Sequence, residues 1–396
     1  MRHFGHLAPE VRASLFLHEP VEFTRHSPPH LLAVALGATL YCPASRRNLA
    51  CDVVKQAARG VVSMVLCLED AIHDSEVSDA EDNLVTQLAL LADRRWRTDV
   101  GAPADDEELP LLFVRVRTPA QVPALVRRLG PAARLLSGFV LPKFTGDRGA
   151  PFLDAVDEAE TASRQRLFVM PVLESPELVH LESRTDVLAG IARLLEQHRE
   201  RVLALRLGVT DLCSAYGLRR SPDMTAYDIA LVSSVIADVV NTFGRADGTG
   251  YTITGPVWEY FHSGERVFKP QLRATPFTGR AEELRSALIA KDMDGLMREI
   301  LLDKTNGLQG KTCIHPSHVT PVHTLSVVTH EEYSDAVDIL HPERDGGGVL
   351  RSAYTNKMNE VKPHRAWAER TMLRAKAFGV AREGVDFVEL LAAGGA

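Results

Sequence analysis

The sequence predicts an α/β fold, a (β/α)8 or TIM barrel with an N-terminal lead and a C-terminal extension. Eight short, mostly apolar runs recur between residues 38 and 314, with segments of helical spacing between them. Almost every run stops at a charged residue or at a turn-forming proline or glycine. Runs that are apolar throughout, without alternation, indicate strands covered on both faces, as in parallel sheets. A doubly wound open sheet has the same local pattern, so the count of eight decides between the two.

The elements follow in order. Residues 1–30 form the lead, whose start, Met1 to Pro20, mixes His, Arg and Glu with apolar residues and has no signal-peptide core. Leu31–Leu40 is apolar over about half of the ~20 residues that a membrane-spanning helix needs, and reads as buried strand or helix. Ala38–Tyr41 is the first strand and ends at Cys42-Pro43; Arg46–Ala58 follows with helical spacing. Val61–Leu68 ends at Glu69-Asp70. The acidic stretch Asp105–Glu108 reads as a solvated loop. Leu111–Val116 ends in Arg115 and Arg117, and Gly138–Leu141 ends at Pro142-Lys143. Phe168–Leu173 stops at Glu174, and a helix over Pro176–Gln197 opens with Ser175 as cap and Pro176 in its first turn. Leu203–Leu207 runs into Gly208 and Asp211. The turn Ser221-Pro222-Asp223 precedes a helix over Thr225–Phe243. Tyr251–Thr254 ends at Gly255-Pro256, and Thr312–Ile314 at His315-Pro316. The barrel is thus assigned to residues 31–324 and the extension to 325–396, with Gly346–Gly348 as a hinge or turn.

Composition narrows the function classes. With 45% hydrophobic and 24% charged residues, the chain is an ordinary globular one. A formal charge of −7 gives no reason to expect nucleic acid or an anionic membrane as partner. Five cysteines form no CxxC pair, which suits reduced thiols and a cytoplasmic location. Gly310-Lys311-Thr312 resembles the tail of a Walker A loop, but it enters a strand and lacks the first glycine. His315, His318 and His323 match no zinc spacing, Gly346–Gly348 lacks the strand–turn–helix setting of a dinucleotide site, and there is no GxSxG. No nicotinamide, flavin or zinc is expected.

Barrel active sites are built at the carboxyl ends of the strands. The polar residues there are Arg46, Glu69, Asp70, Arg115, Lys143, Glu174, Asp211, Glu259 and His315. Singly, each reads as a helix cap or an ion-pair partner; as a set, they converge on one mouth. Carboxylates without His or Cys partners suit a hard cation such as Mg²⁺, with Mn²⁺ as a substitute. Such an ion stabilises an enolate formed when a carbon–carbon bond breaks, and an arginine fork orients a substrate carboxylate.

These residues stand in familiar segments. Tyr41-Cys-Pro-Ala-Ser-Arg46, Leu66-Cys-Leu-Glu-Asp-Ala-Ile72, Phe113-Val-Arg-Val116, Gly138-Phe-Val-Leu-Pro-Lys143, Pro171-Val-Leu-Glu174, Leu207-Gly-Val-Thr-Asp-Leu212 and Gly310-Lys-Thr-Cys-Ile-His-Pro316 occur in this order, each at a strand end. The chain resembles the HpcH/HpaI aldolase and citrate lyase β-subunit family over roughly residues 38–320. The resemblance implies a Mg²⁺-dependent carbon–carbon lyase barrel, usually a homo-oligomer. It implies Glu174 and Asp211 as metal ligands, Arg115 on the substrate, and Glu69 and Asp70 as the acidic pair ending the second strand. Arg46, Lys143 and His315 match positions at the mouth, and Trp258-Glu259 stands in the seventh-strand segment that would contact substrate. The sequence departs from the family in Ala226-Tyr-Asp-Ile229 after Asp211 and in Thr254-Gly-Pro-Val-Trp-Glu259, which leaves use of a CoA thioester open. The tail Ser352–His364 resembles a divergent branch of C–C-bond lyases that accompany tellurite-resistance and stress-response genes.

Two functions follow. One is a Mg²⁺-dependent lyase or aldolase acting on a small hydroxy or keto acid, or its thioester, with Glu69, Asp70 or a C-terminal side chain handling the proton. The other is a metal- and ligand-binding barrel without turnover. The polar density of residues 345–367 predicts a lid that closes over the mouth.

Overall fold

The computed structural model describes residues 1–103, 105–261, 293–341 and 348–394. All eight predicted runs are strands: β1 (Ala38–Pro43), β2 (Ser63–Cys67), β3 (Leu111–Arg115), β4 (Leu136–Leu141), β5 (Phe168–Leu173), β6 (Leu205–Leu207), β7 (Ile253–Thr254) and β8 (Lys311–Cys313). They pair in parallel in the order β7-β6-β5-β4-β3-β2-β1-β8. A parallel bridge between Gly255 and Lys311 closes the ring.

Successive side chains of a strand point to opposite faces, and this parity sorts the core. Phe113, Phe168, Met170 and Val172 fill the barrel interior with Val65 and Val140. Leu112, Val114, Val169 and Leu173 belong to the larger layer between sheet and helices. Gly138 lies where β4 passes closest to β5: a Cβ there would stand 1.9 Å from the Phe168 carbonyl oxygen.

Leu31–Leu40 divides into a helix, Pro29–Ala35, and the start of β1. The three predicted helices form as Leu49–Ala57, Leu181–Gln197 and Ala230–Phe243. Ser175 stands before a short 3-10 turn, Pro176–Leu178, but its side chain makes no capping bond, and the helix proper begins five residues after Pro176 at Leu181. Asp105–Glu108 is more than a solvated loop. Asp106 accepts from Arg97 Nη2 at 2.6 Å and Arg134 Nε at 2.7 Å, and Arg97 is fully buried.

Lead and extension meet beneath the barrel. The strand Phe16–His18 pairs antiparallel with Val380–Ala381. Phe4, Phe16, Phe23, Leu32 and Phe378 join Leu111 and Phe168, the first residues of β3 and β5, in one apolar cluster. Helix Val361–Phe378 packs on helices Pro29–Ala35 and His330–Leu340. Its Arg370 donates to the Gly244 carbonyl at 2.7 Å, in the segment that enters β7 from the amino-terminal side. The hairpin Val349–Arg351/Met358–Glu360 docks on helix His330–Leu340, where buried Asp335 accepts from Asn359 Nδ2 at 2.7 Å and pairs with Lys357 Nζ at 2.8 Å. The described part of residues 345–367 therefore lies on the face opposite the mouth, which corrects the expectation of a lid; 345–347 lie outside the described residues. The polar groups of that tail hold one piece of the extension to another. Among the described residues no helix is long and apolar enough to cross a membrane.

Candidate active site

The carboxyl ends of the strands surround a cavity of about 340 Å³, lined by Tyr41, Asp70, Arg115, Glu174, Arg206 and Asp211 among others. Strand parity puts Arg115 and Glu174 there, since each continues an inward row, Phe113–Arg115 and Met170–Val172–Glu174. Asp211 lies in the first turn of the short helix Val209–Ser214, and Asp70 follows β2.

Ligand oxygens of Asp70, Glu174 and Asp211 all come within 4.8 Å of one another. Glu174 is 1% exposed. It accepts from Arg115 Nη2 at 2.9 Å and from the backbone N–H of Lys143 at 2.9 Å. Lys143 adopts a left-handed conformation, φ 48°, which aims that N–H at the carboxylate. Gly208 makes room on the other side: a Cβ there would lie 2.3 Å from Glu174 Oε2.

Arg115 knits the acidic groups together. Its Nη2 lies 2.8 Å from Glu69, 3.0 Å from Asp70 and 2.9 Å from Glu174. Lys143 Nζ donates to Glu69 at 2.6 Å. Glu69 is buried and does not line the cavity; it holds the two cations in place.

The electrostatics suit a divalent cation. Burial pushes Glu174 up to about 7, Arg115 opposing the rise and Asp211 adding to it. Asp211 is raised by burial and then by the charge of Asp70. Burial also raises Glu69, while at Asp70 the hydrogen bond with Glu69 and then the cations Arg115 and Lys143 outweigh burial and hold the carboxyl below its usual range. Crowded carboxylates with raised values are what a bound cation relieves. An all-oxygen donor set open to the cavity fits Mg²⁺, which keeps sites for water and substrate oxygens.

Sequence reasoning chose Glu174 and Asp211 as the metal pair and Asp70 as an acid; the structure brings all three together. Other expected residues lie elsewhere. Arg46 is exposed and pairs with Asp52 at 2.6 Å. His315 stacks on Phe261 at 4.8 Å and shares a hydrogen bond with Ser317. Neither lines the cavity. Trp258 is fully buried beneath the Arg220 guanidinium, 5.4 Å from its ring centre, and is removed from the mouth. Glu259 reaches the rim indirectly: it accepts from Thr210, the neighbour of Asp211, at 3.1 Å and from Arg220 at 3.3 Å. Arg220 continues into a buried chain of ion pairs through Glu299, Lys311 and Asp303.

Two cavity residues were missed. Tyr41 was seen only as part of a motif; burial raises its phenol, which stays protonated. Arg206 was absorbed into an apolar run, although one arginine in the middle of Leu203–Leu207 was the signal that could have found it. A larger cavity of about 660 Å³ lies on the opposite face, lined by Gln309, Trp367, Arg370 and Arg374. Among the described residues the acidic cluster able to hold a metal lies at the mouth and not there.

Comparisons with known proteins agree with the barrel fold. The CitE protein of Mycobacterium tuberculosis, solved with magnesium, acetoacetate and coenzyme A, superposes with a TM-score of 0.51 at 19% identity, over 87% of this chain and 99% of that one. A citrate lyase from Burkholderia xenovorans LB400 superposes with a TM-score of 0.59 at 17% identity, covering 90% of this chain and 96% of its own. At these identities the likeness establishes the fold. A search among curated proteins found no match. The model of a family described as C–C bond lyases of the TIM-barrel fold matches residues 30–380, nearly the whole chain. The protein belongs to that family of C–C bond lyases.

Proposed function

We propose that the protein is a Mg²⁺-dependent carbon–carbon lyase or aldolase acting on a small hydroxy or keto acid through an enolate. The observation that carries this reading is the meeting of Asp70, Glu174 and Asp211 in one cavity with Arg115. The three carboxylates would hold Mg²⁺, with Mn²⁺ as substitute. When bound, the ion supplies positive charge that stabilises the developing enolate oxygen.

The chain's own residues do the rest. Arg115 makes all its ion pairs through Nη2, and its buried Nε has no partner. Its Nη1, which has no partner among the described residues and is not buried, is the donor that faces a substrate carboxylate. Glu69 and Lys143 act as positioning residues: Glu69 bridges the two cations, and Lys143 fixes Glu174 through its backbone. With Asp70 among the metal ligands, the proton falls to Tyr41, a phenol that lines the cavity and that burial keeps neutral. The M. tuberculosis CitE complex with coenzyme A keeps a thioester among the candidate substrates.

The test is hydrogen–deuterium exchange at the carbon next to the carbonyl of small 2-oxo acids, followed by NMR. Exchange should require Mg²⁺ and disappear in Glu174→Gln. Mg²⁺ binding without exchange across a wide panel would leave a ligand-binding barrel without turnover.

A further inference from the structure

Arg206 lies inside the barrel, 1% exposed, with its guanidinium reaching from β6 to threonines of β1 and β8. Its partners are neutral. Nη1 donates to Thr39 Oγ1 at 3.3 Å and meets Met170 Sδ at 3.5 Å, while Nη2 donates to Thr312 Oγ1 at 2.9 Å. The cation lies 5.4 Å from the centre of the Tyr41 ring, and Nε is buried without a partner. Among the described residues no carboxylate comes within ion-pairing distance of it. This is unusual for a charge so deep, since an uncompensated buried ion costs several kcal/mol. The other buried arginines and lysine among the described residues follow the rule: Arg97 pairs with Asp106, Arg115 with three carboxylates, Arg184 with Asp238, and Arg220 and Lys311 with Glu299.

Arg206 also lines the cavity that holds the acidic cluster, together with its hydrogen-bonded neighbour Thr312. Two hydroxyls are weak acceptors for a guanidinium, and the Thr312 hydroxyl keeps its own hydrogen to donate. Arginine and threonine together present a ready-made cradle for an anion at the inner end of the cavity, below the position proposed for the metal. We infer that Arg206 is a specificity-determining residue, an inward anion anchor that selects substrates carrying a second acid group besides the one held near Arg115. This rests on the proposed metal site and adds to it a choice among acids.

The experiment is calorimetric titration of the Mg²⁺-loaded protein with malate and with lactate, each in both hands. The two acids are alike at the hydroxy acid end and differ by one carboxylate. The wild-type protein should bind malate at least tenfold more tightly than lactate. Arg206→Met keeps the bulk against Tyr41 and Met170 but removes the charge. It should lose that tenfold preference while lactate and Mg²⁺ affinities change less than threefold. Its melting temperature should hold or rise, as it does when a buried charge gives way to an apolar side chain. Arg206→Lys, a point charge without the fork, should keep part of the preference. Equal wild-type affinities for the two acids would overturn the inference and leave the metal site standing; this comparison needs no variant to fold. A preference retained in Arg206→Met, or loss of Mg²⁺ and both acids together, overturns it as well. Absence of Mg²⁺-dependent binding of either acid to the wild-type protein removes the metal-site reading and this inference together.

Discussion

Asp211→Asn is the sharpest perturbation of the proposed metal site. Among the described residues the Asp211 carboxyl bonds only its own backbone N–H and joins no ion pair, and it is raised by burial and by Asp70. Neutralising it removes repulsion and leaves no partner stranded, so the metal-free protein should melt within about a degree of wild type, or above it. The effect on Mg²⁺ can be bounded from the geometry. An ion among ligand atoms that lie within 4.8 Å of each other is no farther than about that from the Asp211 oxygen. Coulomb's law for a divalent cation and a unit charge at that distance, in the dielectric of bulk water, gives about 1.7 kcal/mol, or roughly twentyfold in affinity. That is a floor, since the site is partly buried. At a Mg²⁺ concentration about 100 times the wild-type Kd, binding stabilises wild type by about 2.7 kcal/mol and the variant by about 1 kcal/mol. With an unfolding entropy of about 2 cal/mol/K per residue, those values correspond to shifts of about 3 °C and 1 °C. Differential scanning calorimetry with and without Mg²⁺, supported by direct titration, reads both. A Kd within threefold of wild type would refute the assignment. A large fall in the melting temperature without metal would show that Asp211 holds the fold.

Four further outcomes are expected. Arg115→Ala strands Glu69, Asp70 and Glu174 without their shared cation, so thermal stability should fall by about 3–5 kcal/mol, and added Mg²⁺ should restore part of it. Gly208→Ala places a methyl on the Glu174 carboxylate; calorimetry should show a loss of about 1–3 kcal/mol together with weaker Mg²⁺ binding. Phe378→Ala should cost about 3–5 kcal/mol in denaturant unfolding, and removal of residues 348–394 should leave no stable barrel, because this segment seals the base and is not a lid. Acid should weaken the base first. Burial drives His3 down to about 3 and His323 well below its usual value. The unfolded chain therefore takes up protons below about pH 6.5 that the folded chain refuses. Stability should be fully present above that pH and fall progressively as pH drops toward 3, and His3→Gln should make the fall shallower in pH-dependent urea unfolding.

The barrel was legible because doubly covered parallel strands are written as apolar runs, and their polar ends mark the mouth. That rule put Glu174 and Asp211 among nine polar strand-end residues, and the family resemblance singled them out as the metal pair. What the rule lacked was parity. In the extended segment after β7, Val257 lines the cavity while its neighbour Trp258 is buried away from it, so a motif that spans both residues cannot say which one meets a ligand. Arg206 escaped for the same reason: only the alternation within β6 separates an inward arginine from its outward neighbours. The tail misled because a dense mixture of Asn, Lys, Glu and His serves equally to bind a ligand or to fasten a hairpin to a helix. Asn359 and Lys357 spend theirs on Asp335, and nothing local encodes which end of the barrel that helix occupies.

The clasp between Phe16–His18 and Val380–Ala381 also sets a schedule for synthesis. The two partners are separated by nearly the whole chain, so the first strand leaves the ribosome long before its mate exists. At about 5–20 residues per second, the open edge and the aromatic residues Phe4, Phe16 and Phe23 wait roughly 20–70 s for the segment around Phe378 to arrive. Throughout that interval the nascent chain carries an uncovered apolar surface around Phe4, Phe16 and Phe23. A chaperone that meets the chain as it emerges would find a binding site there, and would lose it when Val380–Ala381 closes the base.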